Sequence, residues 1–159
     1  ETTLGKHPET AVATMHKVAM HTEMNYPYED SLKKEHLSFK DSTDAMSYAA
    51  VNLAHDLNTQ TITVLSVSGF TANMISRHRP KRPITVITPN LKTYNQVSLN
   101  FNCYPILSDM FDGVTDTLDK SKKLCLECGM NKKGDSTVIV AGLPFSKPGN
   151  TNLVLYQKI

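Results

Sequence analysis

Short β-branched runs that alternate with stretches of helical spacing constrain this chain more than any other feature. Gln60-Thr61-Ile62-Thr63-Val64-Leu65-Ser66 and Ile84-Thr85-Val86-Ile87-Thr88 are each too short for a helix and rich in β-branched residues, so both read as buried strands. Between them, Phe70 to His78 has helical spacing with Met74 and Ile75 inward, and Pro80 and Pro83 end it. Pro89-Asn90 turns the chain into a short helix, Leu91 to Leu99, before a third strand at Tyr104 to Leu107. A longer helix is expected from Phe111 to Cys128, with Val114, Leu118, Leu124 and Cys125 inward and Gly129 as its C′ residue. Thr137 to Ala141 and Leu153 to Tyr156 close the set, joined by a helix-free loop from Gly142 to Asn152. Strand–helix alternation implies βαβ units, and two strands joined by a loop alone imply antiparallel neighbours. The expected fold is an α/β three-layer sandwich: a mostly parallel five-stranded sheet, its last strand antiparallel, with helices on both faces.

Upstream of the sheet the pattern differs. Pro8 suits a first helical turn, and Val12, Met15 and Ala19 follow as one apolar stripe that fades at Asn25. Residues 26–41 lack a period and read as a linker. A second helix starts near Ser42, capped by Asp41 or Ser42, with Met46, Ala49, Ala50, Leu53 and Leu57 as its expected buried face and Asn58 as its stop. The expected organisation is therefore a helical segment at 1–25, a linker at 26–41 and an α/β domain at 42–159.

Composition narrows the function classes. Of 159 residues, 40% are hydrophobic and 20% charged, enough for one globular domain. The net charge of +2 gives no argument for nucleic acid or for an anionic membrane. No apolar run is long enough to span a bilayer. Three cysteines do not form a secreted disulfide framework, so a reduced, cytoplasmic setting is expected. The first residues carry no signal-peptide pattern, and the missing initiator Met suggests a piece of a longer polypeptide.

The strongest constellation is Ser66-Val67-Ser68-Gly69-Phe70-Thr71, between a strand and a helix start. Backbone N–H groups, three hydroxyls and a glycine that permits close approach suit a phosphate. The same residues also suit an ordinary capped turn that holds only water. No lysine follows at the spacing of a Walker A loop. Ligands of parallel sheets collect at the carboxyl ends of the strands, where the loop carrying Lys147, Gly149 and Thr151 could close over the turn. That loop could equally be a mobile hairpin tip. Cys125 and Cys128 end a helix, where the dipole raises a thiol pKa, so both read as small buried packing residues. All six histidines read as surface or boundary residues. Arg77, Arg79, Lys81 and Arg82 form a basic helix end that could meet an anion or another subunit. No catalytic set and no metal cluster stands out.

The chain resembles the pyruvate kinase family over essentially its whole length. Glu1-Thr2-Thr3-Leu4-Gly5-Lys6-His7-Pro8 is similar to the family's ETAxGxYP stretch, and Ser68 to Ala72 with Ile75 to Pro80 to its SGxSAxxxSxxRP segment. Leu99 to Pro105 resembles the LxxGxxP turn, with Asn102 in place of the glycine. Lys132-Lys133-Gly134-Asp135 matches KKGD, and Gly149 to Asn152 resembles GxTN. The resemblance implies the C-terminal domain of an enzyme that moves a phosphoryl group from phosphoenolpyruvate to ADP, preceded here by the last helix of the catalytic barrel. It implies that the Mg²⁺ and K⁺ sites and all catalytic residues lie upstream, leaving this chain without a cofactor and inactive alone. It also implies partners: the barrel of the same polypeptide, sister subunits of a homotetramer and, in many members, a sugar-phosphate activator held by the turn Ser66 to Thr71. Bisphosphate-activated members carry an arginine near the position of Thr117 and often a cation inside the turn, where this chain has Val67 or Phe70. Neutral groups replace cations poorly at a phosphate, so a singly phosphorylated effector, or none, fits at least as well. The alternative reading is a stand-alone sugar-phosphate-binding module; a weaker one is a redox switch through Cys125 and Cys128.

Overall fold

The computed structural model describes residues 1–28, 30, 32, 38–109, 113–144 and 150–159. They form two compact units, Glu1–Glu35 and His36–Ile159. In the first, helix α1 (Pro8–Met24) carries Pro8 in its first turn and buries none of its residues. Val12 and Met15 of the expected stripe are exposed, as is Val18. Much of the expected linker lies outside the described residues; within it, the rings of Tyr26 and Tyr28 meet edge-on at 4.8 Å.

The second unit is built on five strands: β1 (Thr61–Leu65), β2 (Ile84–Thr88), β3 (Cys103–Leu107), β4 (Ser136–Ala141) and β5 (Leu153–Lys158). Their order is β3-β2-β1-β4-β5. β1 to β4 are parallel and β5 pairs antiparallel with β4, as expected. Helix α2 (Ser42–Asp56) precedes β1, α3 (Phe70–Ser76) and α4 (Leu91–Val97) cross between the next strands, and α5 (Gly113–Glu127) returns to β4. The chain steps from β1 to β3 in one direction and then back past β1. Right-handed crossovers therefore put α3 and α4 on one face and α5 on the other. The first residues expected of the last helix, Phe111 and Asp112, lie outside the described residues.

The register makes the two faces chemically unlike. Ile62, Val64, Ile84, Val86, Val138 and Val140 are in register on one face, all fully buried. The other face mixes apolar and hydroxyl residues. Leu65, Ile87, Ile139 and Ala141 receive Leu118 and Leu124 of α5. Further down, Thr63 Oγ1 lies 2.8 Å from Thr137 Oγ1 and 3.3 Å from Cys125 Sγ, and Thr61 donates to Asn131 Oδ1 at 2.9 Å. These hydroxyls are fully buried and satisfy one another, which is what allows them to sit in a core.

Helix faces depart from the expectation. On α2 the buried residues are Thr43, Asp44, Ser47, Ala50, Val51 and Ala54, while Ala49 and Leu57 are exposed. Asp44 goes inward because it has partners: Arg77 Nη2 at 2.5 Å and the Lys40 N–H at 3.1 Å. On α5 the buried line is Thr117, Ser121 and Cys125, and Val114 is exposed. Thr117 and Ser121 enter because each hydroxyl donates to the carbonyl one turn back, on Gly113 and Thr117. The stops are as expected: Asn58 and Gly129 both take left-handed backbone, φ 51° and 74°, just past their helices.

Candidate functional site

β1 ends at Leu65 and feeds the hydroxyl-rich bend at the carboxyl edge of the sheet. Ser66 is still tied to the ladder, its N–H donating to Ile87 O at 3.1 Å. At the next residue, Val67 O accepts from Thr93 Oγ1 of α4 at 2.8 Å. Gly69 is the N-cap of α3 with φ 78°. A Cβ there would stand 2.9 Å from Val97 Cγ1 and 3.2 Å from Thr93 Cγ2, so α4 closes against the bend only because position 69 has no side chain.

The bend partly caps itself. Ser66 Oγ accepts the Gly69 N–H at 3.0 Å, and Ser68 Oγ accepts the Phe70 N–H at 3.4 Å. A hydroxyl that accepts still has its own O–H to give. Ser68 and Phe70 are exposed, Ser66 and Val67 half-buried, and Thr71 buried.

Of the expected loop residues, Thr151 is buried and its Oγ1 lies 2.8 Å from Thr71 Oγ1. β4 and β1 are parallel neighbours, so the segment after β4 and the bend after β1 emerge side by side. Lys147 and Gly149 lie outside the described residues. The base of the loop is held by Asn152, which accepts the Leu143 N–H at 2.8 Å and donates to Leu143 O at 2.8 Å. Thr117, where the resemblance puts an arginine in some relatives, is buried under α5 with its hydroxyl given to Gly113 O.

On the helical side of the bend lies a pocket of about 820 Å³ between the N-terminal ends of α2 and α3 and the end of α4. It had no signature in the sequence, because its walls come from three separate elements.

Other side chains depart from their sequence readings or qualify them. His78 is buried, not at the surface, with its ring edge-on to Tyr48 at 5.8 Å. Cys125 is buried, but Cys128 is exposed. Burial pushes the Cys125 thiol up to about 11, against the opposing pull of the Thr63 hydrogen bond. Burial likewise lifts Cys103 to about 11. Three of the four cations of the basic helix end are engaged within the domain. Arg77 holds Asp44, Arg79 lies 5.2 Å over the Phe101 ring, and Arg82 donates to Asn58 Oδ1. Among the described residues no group of three or more His, Cys, Asp or Glu side chains could hold a metal ion. None of the described helices is long and apolar enough to cross a membrane.

Fold and site together define a three-layer α/β domain with a hydroxyl-rich bend at the carboxyl edge of a mostly parallel sheet. The family model described as "Pyruvate kinase, alpha/beta domain" matches residues 44–155. Pyruvate kinase of Clostridium acetobutylicum is 31% identical over 160 residues, covering 100% of this chain and 34% of that protein. That of Thermotoga maritima is 31% identical over 159 residues, covering 100% and 33%, and that of Geobacillus stearothermophilus 32% identical over 155 residues, covering 97% and 26%. The chain thus spans about a quarter to a third of the length of the curated relatives it matches. It belongs to the pyruvate kinase family and corresponds to the C-terminal α/β domain of that enzyme.

Proposed function

We propose that this chain is the regulatory and assembly portion of a cytoplasmic pyruvate kinase, and that the bend Ser66 to Thr71 receives the phosphoryl group of an allosteric effector. The intact polypeptide would transfer phosphate from phosphoenolpyruvate to ADP in its barrel, where Mg²⁺ and K⁺ belong, giving pyruvate and ATP. Supporting this, each named relative is a pyruvate kinase that this chain matches only in part. The same fact favours a portion of an enzyme over a free-standing module. The exposed Val12 and Met15 of α1 are suited to cover a barrel, and β5, an edge strand, to meet a sister subunit in a tetramer.

The observation that carries the effector reading is the contact between Thr71 and Thr151, which joins the bend to the loop after β4. A phosphoryl group at that junction would meet the O–H donors of Ser66 and Ser68, with Lys147 on the same loop by sequence. With no cation in the bend and a buried threonine at 117, one phosphate is better matched than two.

Calorimetry of the chain with a hexose monophosphate and a hexose bisphosphate tests this. Ser68 is exposed, so Ser68→Ala should leave the thermal midpoint in place and weaken monophosphate binding about tenfold. Unchanged affinity in Ser68→Ala, or heat only from the bisphosphate, would remove the bend from the effector site.

A further inference from the structure

The pocket on the helical side of the bend is chemically distinct from the junction of Thr71 with Thr151, and neither of those residues lines it. It is wide enough for a small ring compound, with about 820 Å³ of space. Among the described residues that line it there is no lysine, arginine or histidine, and one wall carries the carboxylate of Asp41. One carboxylate oxygen of Asp41 accepts the Asp44 N–H at 2.8 Å, which orients the group and leaves the other oxygen to accept. That carboxylate disfavours an anionic group placed beside it.

The rest of the lining is neutral and able both to donate and to accept. Asn73 projects from α3, Gln96 from α4, and Asn100 from the turn that follows it. Among the described residues none donates to or accepts from these three carboxamides, which are exposed or half-exposed, so their donors and acceptors are open to a ligand. Ser42 adds a hydroxyl, and Phe70 a partly exposed ring that offers a flat apolar surface. A ligand hydroxyl is itself donor and acceptor and pairs with a carboxamide either way round, while a carboxylate accepts only. A polyol ring also has an apolar C–H face that an aromatic ring can cover.

We propose that this pocket is a second, separate site for an uncharged polyhydroxylated ring of the hexose class. The proposal does not rest on the effector reading, although both sites share Ser68 to Phe70 as a common wall. Binding in the pocket therefore reaches the bend from its helical side.

The test is a titration of the ¹⁵N-labelled chain, followed by its amide and side-chain NH₂ signals, with D-glucose, adenosine and inorganic phosphate in separate arms. D-glucose is expected to move the NH₂ signals of Asn73, Gln96 and Asn100, and the other two probes to leave them in place. Gln96→Ala combined with Asn100→Ala should weaken glucose binding about tenfold without moving the thermal midpoint, since neither carboxamide holds the fold together. The proposal is overturned if glucose leaves the three signals unmoved, or if the double variant binds it as well as the parent. A response to adenosine or phosphate as large as that to glucose would make this a base or anion site and would equally overturn it. Loss of the glucose response in the double variant, with monophosphate binding intact, would separate the two sites.

Discussion

Thr71 Oγ1 and Thr151 Oγ1 lie 2.8 Å apart, both buried, eighty residues apart in the chain. One hydroxyl donates to the other, so the bend after β1 and the segment before β5 satisfy each other's buried polar groups. Replacing either threonine by valine keeps the shape and strands the partner. Thr151→Val should cost about 1–3 kcal/mol, and Thr71→Val about the same. The double variant should cost clearly less than the sum, because two apolar groups leave nothing unpaired. Urea unfolding of the four proteins measures this; simple additivity would show that the contact carries no coupling.

Gly69 is left-handed and faces Val97 and Thr93 at distances a Cβ cannot tolerate. Gly69→Ala therefore pays a backbone penalty of about 1–2 kcal/mol and must also push α4 off the bend. A stability loss larger than 1 kcal/mol is expected, with amide shifts at Thr93 and Val97. Little loss and no shifts would mean that α4 does not depend on the bend for its position.

Asn102 stands where the family motif has glycine, and its φ of 56° explains how. Asparagine visits left-handed backbone more readily than other side chains. Here its Nδ2 also donates to Pro80 O and Arg82 O, both at 3.1 Å. Asn102→Gly should lose those two bonds and keep the backbone, while Asn102→Ala loses both bonds and is strained. The expected order of melting temperatures is Asn102, then Gly, then Ala, with Ala lower in stability than Gly by about 1 kcal/mol. A Gly variant below the Ala variant would contradict the assignment.

Two thiols couple stability to alkaline pH. Cys103 and Cys125 ionise only near 11 when folded, against an ordinary thiol value of 9.0. Below pH 9 both states bind these protons, and the thiols add no pH dependence. Between about pH 9 and 11 the unfolded chain releases them first, so the native state binds more protons and stability falls as pH rises. Exposed Cys128 should react with a thiol reagent in the folded chain at pH 8, while Cys103 and Cys125 wait for denaturant. Labelling with mass detection checks this, and equal labelling of all three would remove the burial argument.

Much of this domain was legible without coordinates. β2 at Ile84–Thr88 and the helix stops at Asn58 and Gly129 follow from β-branched runs and left-handed caps, which are local. The antiparallel last strand followed from connection length. Helix faces were misread wherever polar residues go inward with partners that are distant in sequence or one turn back. Asp44 is buried because Arg77 reaches it, and Ser121 because a carbonyl of its own helix accepts its proton. A reading by apolar stripe puts Leu57 inside and His78 outside, and both are reversed.

The bend Ser66 to Thr71 could be picked out as a hydroxyl-rich strand-to-helix turn because its residues are consecutive. The loop of Thr151 could be expected near it from the ends of parallel strands, but the hydroxyl pairing with Thr71, the need for Gly69 to admit α4 and the convergence of three carboxamides beside it could not. Those facts come from strand order, which sets β4 beside β1, and from the packing that gathers the starts of α2 and α3 and the end of α4 around one pocket. Local sequence decides which backbone conformations are cheap, and so where strands, caps and turns fall. Only the packed sheet decides which remote side chains share a wall, because that depends on register and crossover handedness rather than on neighbours in the chain.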